Sequence, residues 1–257
     1  MPHHISIDRE GPLTILTIRR PEARNALHRA AHDEMAAALD AFAQDDQQWA
    51  AIVTGEGDKA FCAGQDLKSE PPTSAASLPP SGFGGMTTRF DLDKPVIAAV
   101  DGIAFGGGFE LALACDIIVA SSRSLFALPE PRVGLAALAG GIQRLPQEIG
   151  MKRAMSLLLT GRRLSALEAA GMGLVAEVVE RDVLDCARRW AAEIIACAPL
   201  AVRATKRAAR DALARPLSET VAQIWDRPEI SGLLASDDAE EGRAAFAEKR
   251  APAWRGV

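Results

Sequence analysis

Residues 94–114 constrain this chain more than any other stretch. An apolar run, Pro95-Val96-Ile97-Ala98-Ala99-Val100, ends in Asp101-Gly102, and three consecutive glycines, Gly106-Gly107-Gly108, open a second apolar run through Ala114. A short apolar run closed by turn residues reads as a buried strand. Consecutive glycines at a helix start let another group approach the backbone. The first turn of that helix also presents N–H groups that lack an acceptor and carry a partial positive charge. The segment therefore predicts an α/β chain with a ligand-facing helix N-terminus.

The remaining pattern agrees. Residues 5–18 alternate apolar and polar around Gly11-Pro12, which predicts two short strands joined by a turn. Residues 27–42 predict an amphipathic helix, and 50–54 a buried strand followed by a loop through Leu67. Residues 69–85 hold four Pro, four Ser and three Gly and are expected to be a flexible segment. Strands are expected at 117–120, 125–127 and 176–179, and helices at 151–159, 166–171, 183–197 and 199–213, so that a strand-strand-helix unit recurs. The expected division is a core over 1–196 and an all-helical segment over 197–257 that packs on another subunit.

Composition removes several function classes. The 257 residues are 48% hydrophobic and 25% charged, with a formal net charge of −5, so the chain has material for a sizeable core and no basic character suited to nucleic acid. It has no tyrosine, which excludes the short-chain dehydrogenases. No apolar run is long enough to span a bilayer, and the N-terminus carries charge too early for a signal peptide. Cys62, Cys115, Cys186 and Cys197 lack metal-ligand spacing, and reduced thiols in a cytoplasm are expected.

Two Gly-containing loops, Phe61-Cys62-Ala63-Gly64-Gln65-Asp66-Leu67 and Gly106-Gly107-Gly108, each follow a strand. Together they can aim two backbone donors at one oxygen, where each donor contributes roughly 3 kcal/mol in a transition state. Two glutamates accompany them. Glu110 falls in the first turn of the Gly-rich helix between Phe109 and Leu111, and Glu130 ends Phe126-Ala127-Leu128-Pro129-Glu130. Apolar neighbours raise a carboxyl pKa toward the range useful for proton transfer. Taken alone, Glu110 is equally a partner for the helix dipole and Glu130 a strand-end surface residue.

Lys94-Pro95-Val96-Ile97-Ala98-Ala99-Val100-Asp101-Gly102, Ala104 to Ala112 and Cys115-Asp116 together resemble the signature of the enoyl-CoA hydratase (crotonase) family. The resemblance continues in order through Arg24-Asn25-Ala26-Leu27, Phe61 to Leu67, Phe126 to Glu130, Gly140-Gly141-Ile142-Gln143-Arg144-Leu145, Leu159-Thr160-Gly161 and Phe246-Ala247-Glu248-Lys249-Arg250. It implies a crotonase spiral of repeated ββα units with a C-terminal helical trimerisation segment, assembled as a homotrimer or a dimer of trimers. It implies a cofactor-free and metal-free hydro-lyase whose partner is an acyl-CoA thioester, with no nucleic-acid or membrane partner. By the match, Glu110 and Glu130 are catalytic, and the backbone N–H groups of Gln65 and Gly107 form the oxyanion hole. Arg24, Ala63, Gln65, Asp66, Leu67 and Lys68 contact CoA, joined from a neighbouring subunit by Phe246 and Lys249. Phe83 falls where the family lines its acyl pocket.

The chain departs from the family at Ala137 and Leu138, which stand where typical hydratases have Pro and Gly. A leucine beside the water site is expected to narrow or dry it. The Gly-rich helix, the segment before Glu130 and the tail look closer to the carnitinyl-CoA dehydratase branch. Hydration of a 2-enoyl-CoA leads the readings, with carnitinyl-CoA dehydration, enoyl-CoA isomerisation and non-catalytic acyl-CoA binding as alternatives. His28 and His32, one turn apart, are expected to be a solvated pair, and Arg203, Lys206, Arg207 and Arg210 a solvated basic face.

Overall fold

The computed structural model describes residues 4–68 and 77–257. A six-stranded sheet has the order β1(Ile5–Glu10), β2(Leu13–Ile18), β3(Ala50–Gly55), β5(Val96–Val100), β7(Ile117–Ser121), β10(Glu177–Val179). The β1–β2 hairpin is antiparallel and every other pairing in this sheet is parallel. A second, four-stranded sheet has the order β4(Ala60–Cys62), β6(Ile103–Phe105), β8(Leu125–Ala127), β9(Leu164–Ser165).

Three times the chain leaves a strand of the large sheet, turns a corner within a few residues and enters the small sheet: β3 to β4, β5 to β6, and β7 to β8. Two of these corners lead directly toward helices, α2(Gly107–Ala114) and α3(Gly141–Ile149), giving the expected ββα spiral. Gly102 makes the second corner possible. Its φ is +74° and a Cβ there would lie 2.3 Å from the Lys59 carbonyl.

The apolar runs follow from double coverage. Val96 to Val100 are all buried, because one face of the large sheet meets the α1(Arg29–Gln44) and α2 side while the other meets α6(Val183–Ile195). Strands covered on both faces lose the apolar–polar alternation of a strand with one face in solvent.

Several elements differ from expectation. β4 and β6 span three residues each, too short to show a period of two, and 60–62 reads as loop in the sequence. α3 contains Pro146, which hides it from a pattern reading. Of the expected flexible segment, 69–76 lies outside the described residues. Its end does not float: Phe83, Gly84 and Gly85 form a buried 3-10 turn against α1. Beyond α6 come α7(Pro199–Ala212), α8(Leu217–Ala222), α9(Pro228–Leu234) and α10(Asp237–Glu248), then a non-helical tail. The basic face of α7 is not simply solvated. Lys206 is half-buried, its side chain 8% exposed, and donates to the Lys94 carbonyl (2.6 Å) and Asp116 (2.7 Å), while Arg210 joins it on Asp116 (2.9 Å).

Candidate active site

Each glycine of the 106–108 triplet answers a different close approach. A Cβ on Gly108 would lie 2.1 Å from the Cys62 carbonyl oxygen, so only glycine lets the start of α2 rest on β4. A Cβ on Gly107 would lie 2.5 Å from the Phe83 ring, and one on Gly106 would lie 3.0 Å from a carboxylate oxygen of Glu130. The helix N-terminus is thereby pressed against a strand, an aromatic ring and a carboxyl group at once.

Gly107 is the first residue of α2, so its N–H has no acceptor inside the helix. Gln65 pairs with Leu27 as a parallel bridge: Leu27 donates to Gly64 O and Asp66 donates to Leu27 O, both at 2.9 Å. That pattern turns the N–H of Gln65 away from Leu27. The loop also sits beside the helix start, because a Cβ on Gly64 would lie 3.2 Å from the Gly107 nitrogen.

Asn25 holds this loop from behind. It adopts φ +55° and donates from Nδ2 to Ala60 O (2.6 Å) and Glu56 O (3.1 Å). Arg24, also left-handed, accepts from the Ala63 N–H at 3.0 Å. Arg20 pairs with Asp66 at 2.9 Å and donates to Ala26 O. Asp66 in turn accepts from the Lys68 N–H at 3.1 Å. Leu67 is exposed.

Glu110 is 3% exposed on a helix buried on all sides. Its Oε1 accepts the N–H of Gly141, the first residue of α3, at 2.8 Å. Burial, opposed by that hydrogen bond and reinforced by the charge of Glu130, pushes its pKa up to about 7. Glu130 opens a 3-10 turn over Glu130–Val133, and burial raises its pKa as well. Its Oε2 is buried and accepts no hydrogen bond among the described residues. The structure thus places Glu110 in the first turn of α2 and a carboxylate oxygen of Glu130 against Gly106 at that helix's N-terminus.

Leu138 is turned largely to solvent in this chain. Its side chain is 80% exposed, and it borders a cavity of about 650 Å3 shared with Phe90, Leu113, Arg144 and Arg210. Ala137 is the buried one, beneath Gly141. Phe83 is buried against Gly107. Phe246 is 87% exposed on α10, and Lys249 caps that helix in the left-handed conformation.

The histidines correct the sequence reading. His28 caps α1, accepting the Ala31 N–H at 3.2 Å, whereas His32 is buried and bonded to Gln65 and Gly84. No three potential metal ligands cluster among the described residues. His32 and Arg20 are the neighbours of the site that sequence reasoning missed. The available signal was the spacing of His32 from Met35 and Leu39, three and seven residues on, which places it on the apolar side of α1.

Known proteins share this architecture from end to end. The family model described as enoyl-CoA hydratase/isomerase matches residues 8–257. Carnitinyl-CoA dehydratase from Salmonella typhi is 42% identical over 261 aligned positions covering the whole of both chains. Among solved structures, an enoyl-CoA hydratase from Mycobacterium tuberculosis aligns with a TM-score of 0.93 at 39% identity, covering all of both chains. A probable enoyl-CoA hydratase/isomerase from Mycobacterium abscessus aligns at 0.92 and 41%, again over both full lengths. With the spiral, the glycine-opened helix and full-length similarity all in agreement, this chain belongs to the enoyl-CoA hydratase/isomerase family.

Proposed function

We propose that the protein is a hydro-lyase acting on CoA thioesters, adding water to a 2-enoyl-CoA or removing it from a 3-hydroxyacyl-CoA. The observation that carries this reading is the carboxyl pair, buried Glu110 and half-buried Glu130, with both pKa values raised beside the Gly107 N–H, which has no acceptor inside its helix. Crotonase-family enzymes of other chemistries commonly lack one of these carboxyl groups, so the presence of both favours water chemistry.

The backbone N–H groups of Gln65 and Gly107 take the thioester oxygen, which gains enolate charge as the C2=C3 bond is attacked. Glu110, ionised, orients the water and accepts its proton as the oxygen bonds to C3. Glu130, protonated, gives its proton to C2. The pair holds one proton before and after the step, which suits two coupled carboxyl groups that do not both ionise readily. Neither metal nor redox cofactor is required, because water supplies both the hydrogen and the hydroxyl. Arg24, Ala63, Asp66, Leu67 and Lys68 line the CoA path, and Phe83 borders the acyl pocket. Exposed Phe246 and Lys249 suit contact with CoA held by a neighbouring subunit of a trimer or dimer of trimers. The exposed Leu138 leaves room for the water.

A second reading, dehydration of carnitinyl-CoA, is favoured by the full-length similarity to the Salmonella enzyme. Comparing turnover of crotonyl-CoA with crotonobetainyl-CoA separates the two. Incorporation of solvent hydroxyl distinguishes either from isomerisation, and calorimetric binding without turnover would identify a non-catalytic binder. Glu130→Gln is expected to lower kcat at least about 100-fold while CoA-thioester binding persists. Full activity in that variant refutes the two-carboxyl mechanism.

A further inference from the structure

His32 is held by two hydrogen bonds that together fix its tautomer. The Gly84 N–H donates to Nδ1 at 3.0 Å, so Nδ1 carries no proton. The proton is therefore on Nε2, which donates to Gln65 Oε1 at 3.1 Å. The ring is 1% exposed, and burial holds its pKa below the ordinary histidine value, in keeping with a neutral ring. It also stands edge-on to Phe83, with centroids 4.6 Å apart and planes at 73°.

Phe83 is the residue whose ring occupies the space a Cβ on Gly107 would need. One imidazole on α1 thus reaches both halves of the proposed oxyanion hole. It reaches Gln65 through Nε2, and Gly107 through Gly84 and Phe83. A buried imidazole is costly to desolvate unless both nitrogens find partners. An apolar side chain would fill this core position without that requirement. Here both nitrogens are spent on the segments that flank the two N–H donors.

We propose that His32 is a positioning residue: its neutral Nε2–H form sets the spacing between the Gln65 loop and the Phe83–Gly84 turn, holding the N–H groups of Gln65 and Gly107 convergent on one substrate oxygen. This rests on the reading of those two groups as thioester-oxygen donors. Misplacing such donors by about 1 Å can cost on the order of 100-fold in rate.

Three variants separate positioning from packing. His32→Phe keeps a ring in the core but removes both hydrogen bonds. His32→Asn offers an acceptor near the Nδ1 position for Gly84, and His32→Gln a donor near the Nε2 position for Gln65; these two also serve if the Phe variant fails to fold. Amide resonances of Gln65 and Gly107 are recorded by NMR in the ligand-free full-length chain, and crotonyl-CoA and crotonobetainyl-CoA turnover is measured alongside. His32→Phe is expected to shift both resonances and to lower kcat about 10- to 100-fold with KM changed less than about 3-fold. The Asn and Gln variants should each recover part of that loss. Unmoved resonances in a folded variant overturn the proposal whether or not any substrate is turned over. Moved resonances with wild-type kcat in an active enzyme overturn it equally. If the wild type turns over neither thioester, the hydro-lyase reading falls, and the resonances alone decide the role of His32.

Discussion

Glu110 is expected to destabilise the protein when it ionises, and Glu110→Gln tests this directly. The carboxyl has its ordinary pKa of 4.5 in the unfolded chain and about 7 when folded. Below pH 4.5 both states are protonated and the group has no effect on the pH dependence of stability. As pH rises from there, the unfolded chain releases the proton while the folded chain retains it, so stability falls. Above pH 7 both states are ionised and the loss levels off. At about 1.4 kcal/mol per tenfold change in proton affinity, the plateau is on the order of 3 kcal/mol. Glutamine is neutral at every pH and keeps an oxygen for the Gly141 N–H, so the variant should escape the loss.

Urea unfolding at pH 8 should therefore show Glu110→Gln more stable than wild type by about 3 kcal/mol. At pH 5 the gain should shrink to about 0.8 kcal/mol, because only part of the unfolded chains have released the proton there. Both proteins are compared at one concentration, since any assembly shifts the apparent stability. Thioester turnover should collapse in the same variant. In the wild type it should rise with pH through about 7, as Glu110 becomes able to take a proton from water. A gain equal at both pH values, or none at pH 8, would refute the claim that burial of this carboxyl dominates its pKa. The expected exchange of stability for activity is the general cost of keeping a charge-prone group in a dry site.

Asp116 accepts hydrogen bonds from Val96 N–H, Lys206 and Arg210, so Asp116→Ala leaves the half-buried Lys206 ammonium with only the Lys94 carbonyl. Thermal unfolding should show a loss of about 1.5–3 kcal/mol, the range for hydrogen bonds to charged groups, and Lys206→Met, which removes the charge itself, should cost less. Thiol chemistry should be confined to one position. Burial pushes the Cys62 and Cys115 thiols up to about 12 and Cys186 to about 11, while Cys197 is exposed. A maleimide at neutral pH should modify the native chain once, and Cys197→Ser should abolish the labelling; rapid modification of Cys62 would contradict its burial.

Much of the site was legible because it is built from local signals. A glycine triplet after an apolar strand marks a helix start that something must approach, and Glu110 lies one turn along that same helix. Glu130, 20 residues later in the 3-10 turn that follows β8, is carried back to the same place by one turn of the spiral. Its proposed role rests on resemblance, since a lone glutamate after a strand has no periodic signature. The His28–His32 pair misled for a related reason: spacing on a helix specifies a shared face, while only the packing of Phe83 and Gly84 against α1 makes His32 a buried, doubly bonded ring. The basic residues of α7 were read as solvated because their partner, Asp116, lies 90 positions from Lys206 in the chain.

By itself, the sequence determined most of the longer elements, the glycine-opened helix and the chemical identity of the groups at its start, because these depend on contacts among near neighbours in the chain. Tertiary structure alone decided which groups meet. Stacking the ββα turns delivers Glu130 to Gly106, Gly141 to Glu110 and Phe83 to Gly107. It also removes the water that would otherwise hold Glu110 at an ordinary pKa, and desolvation is a property of everything packed around a group rather than of the residues beside it in the chain.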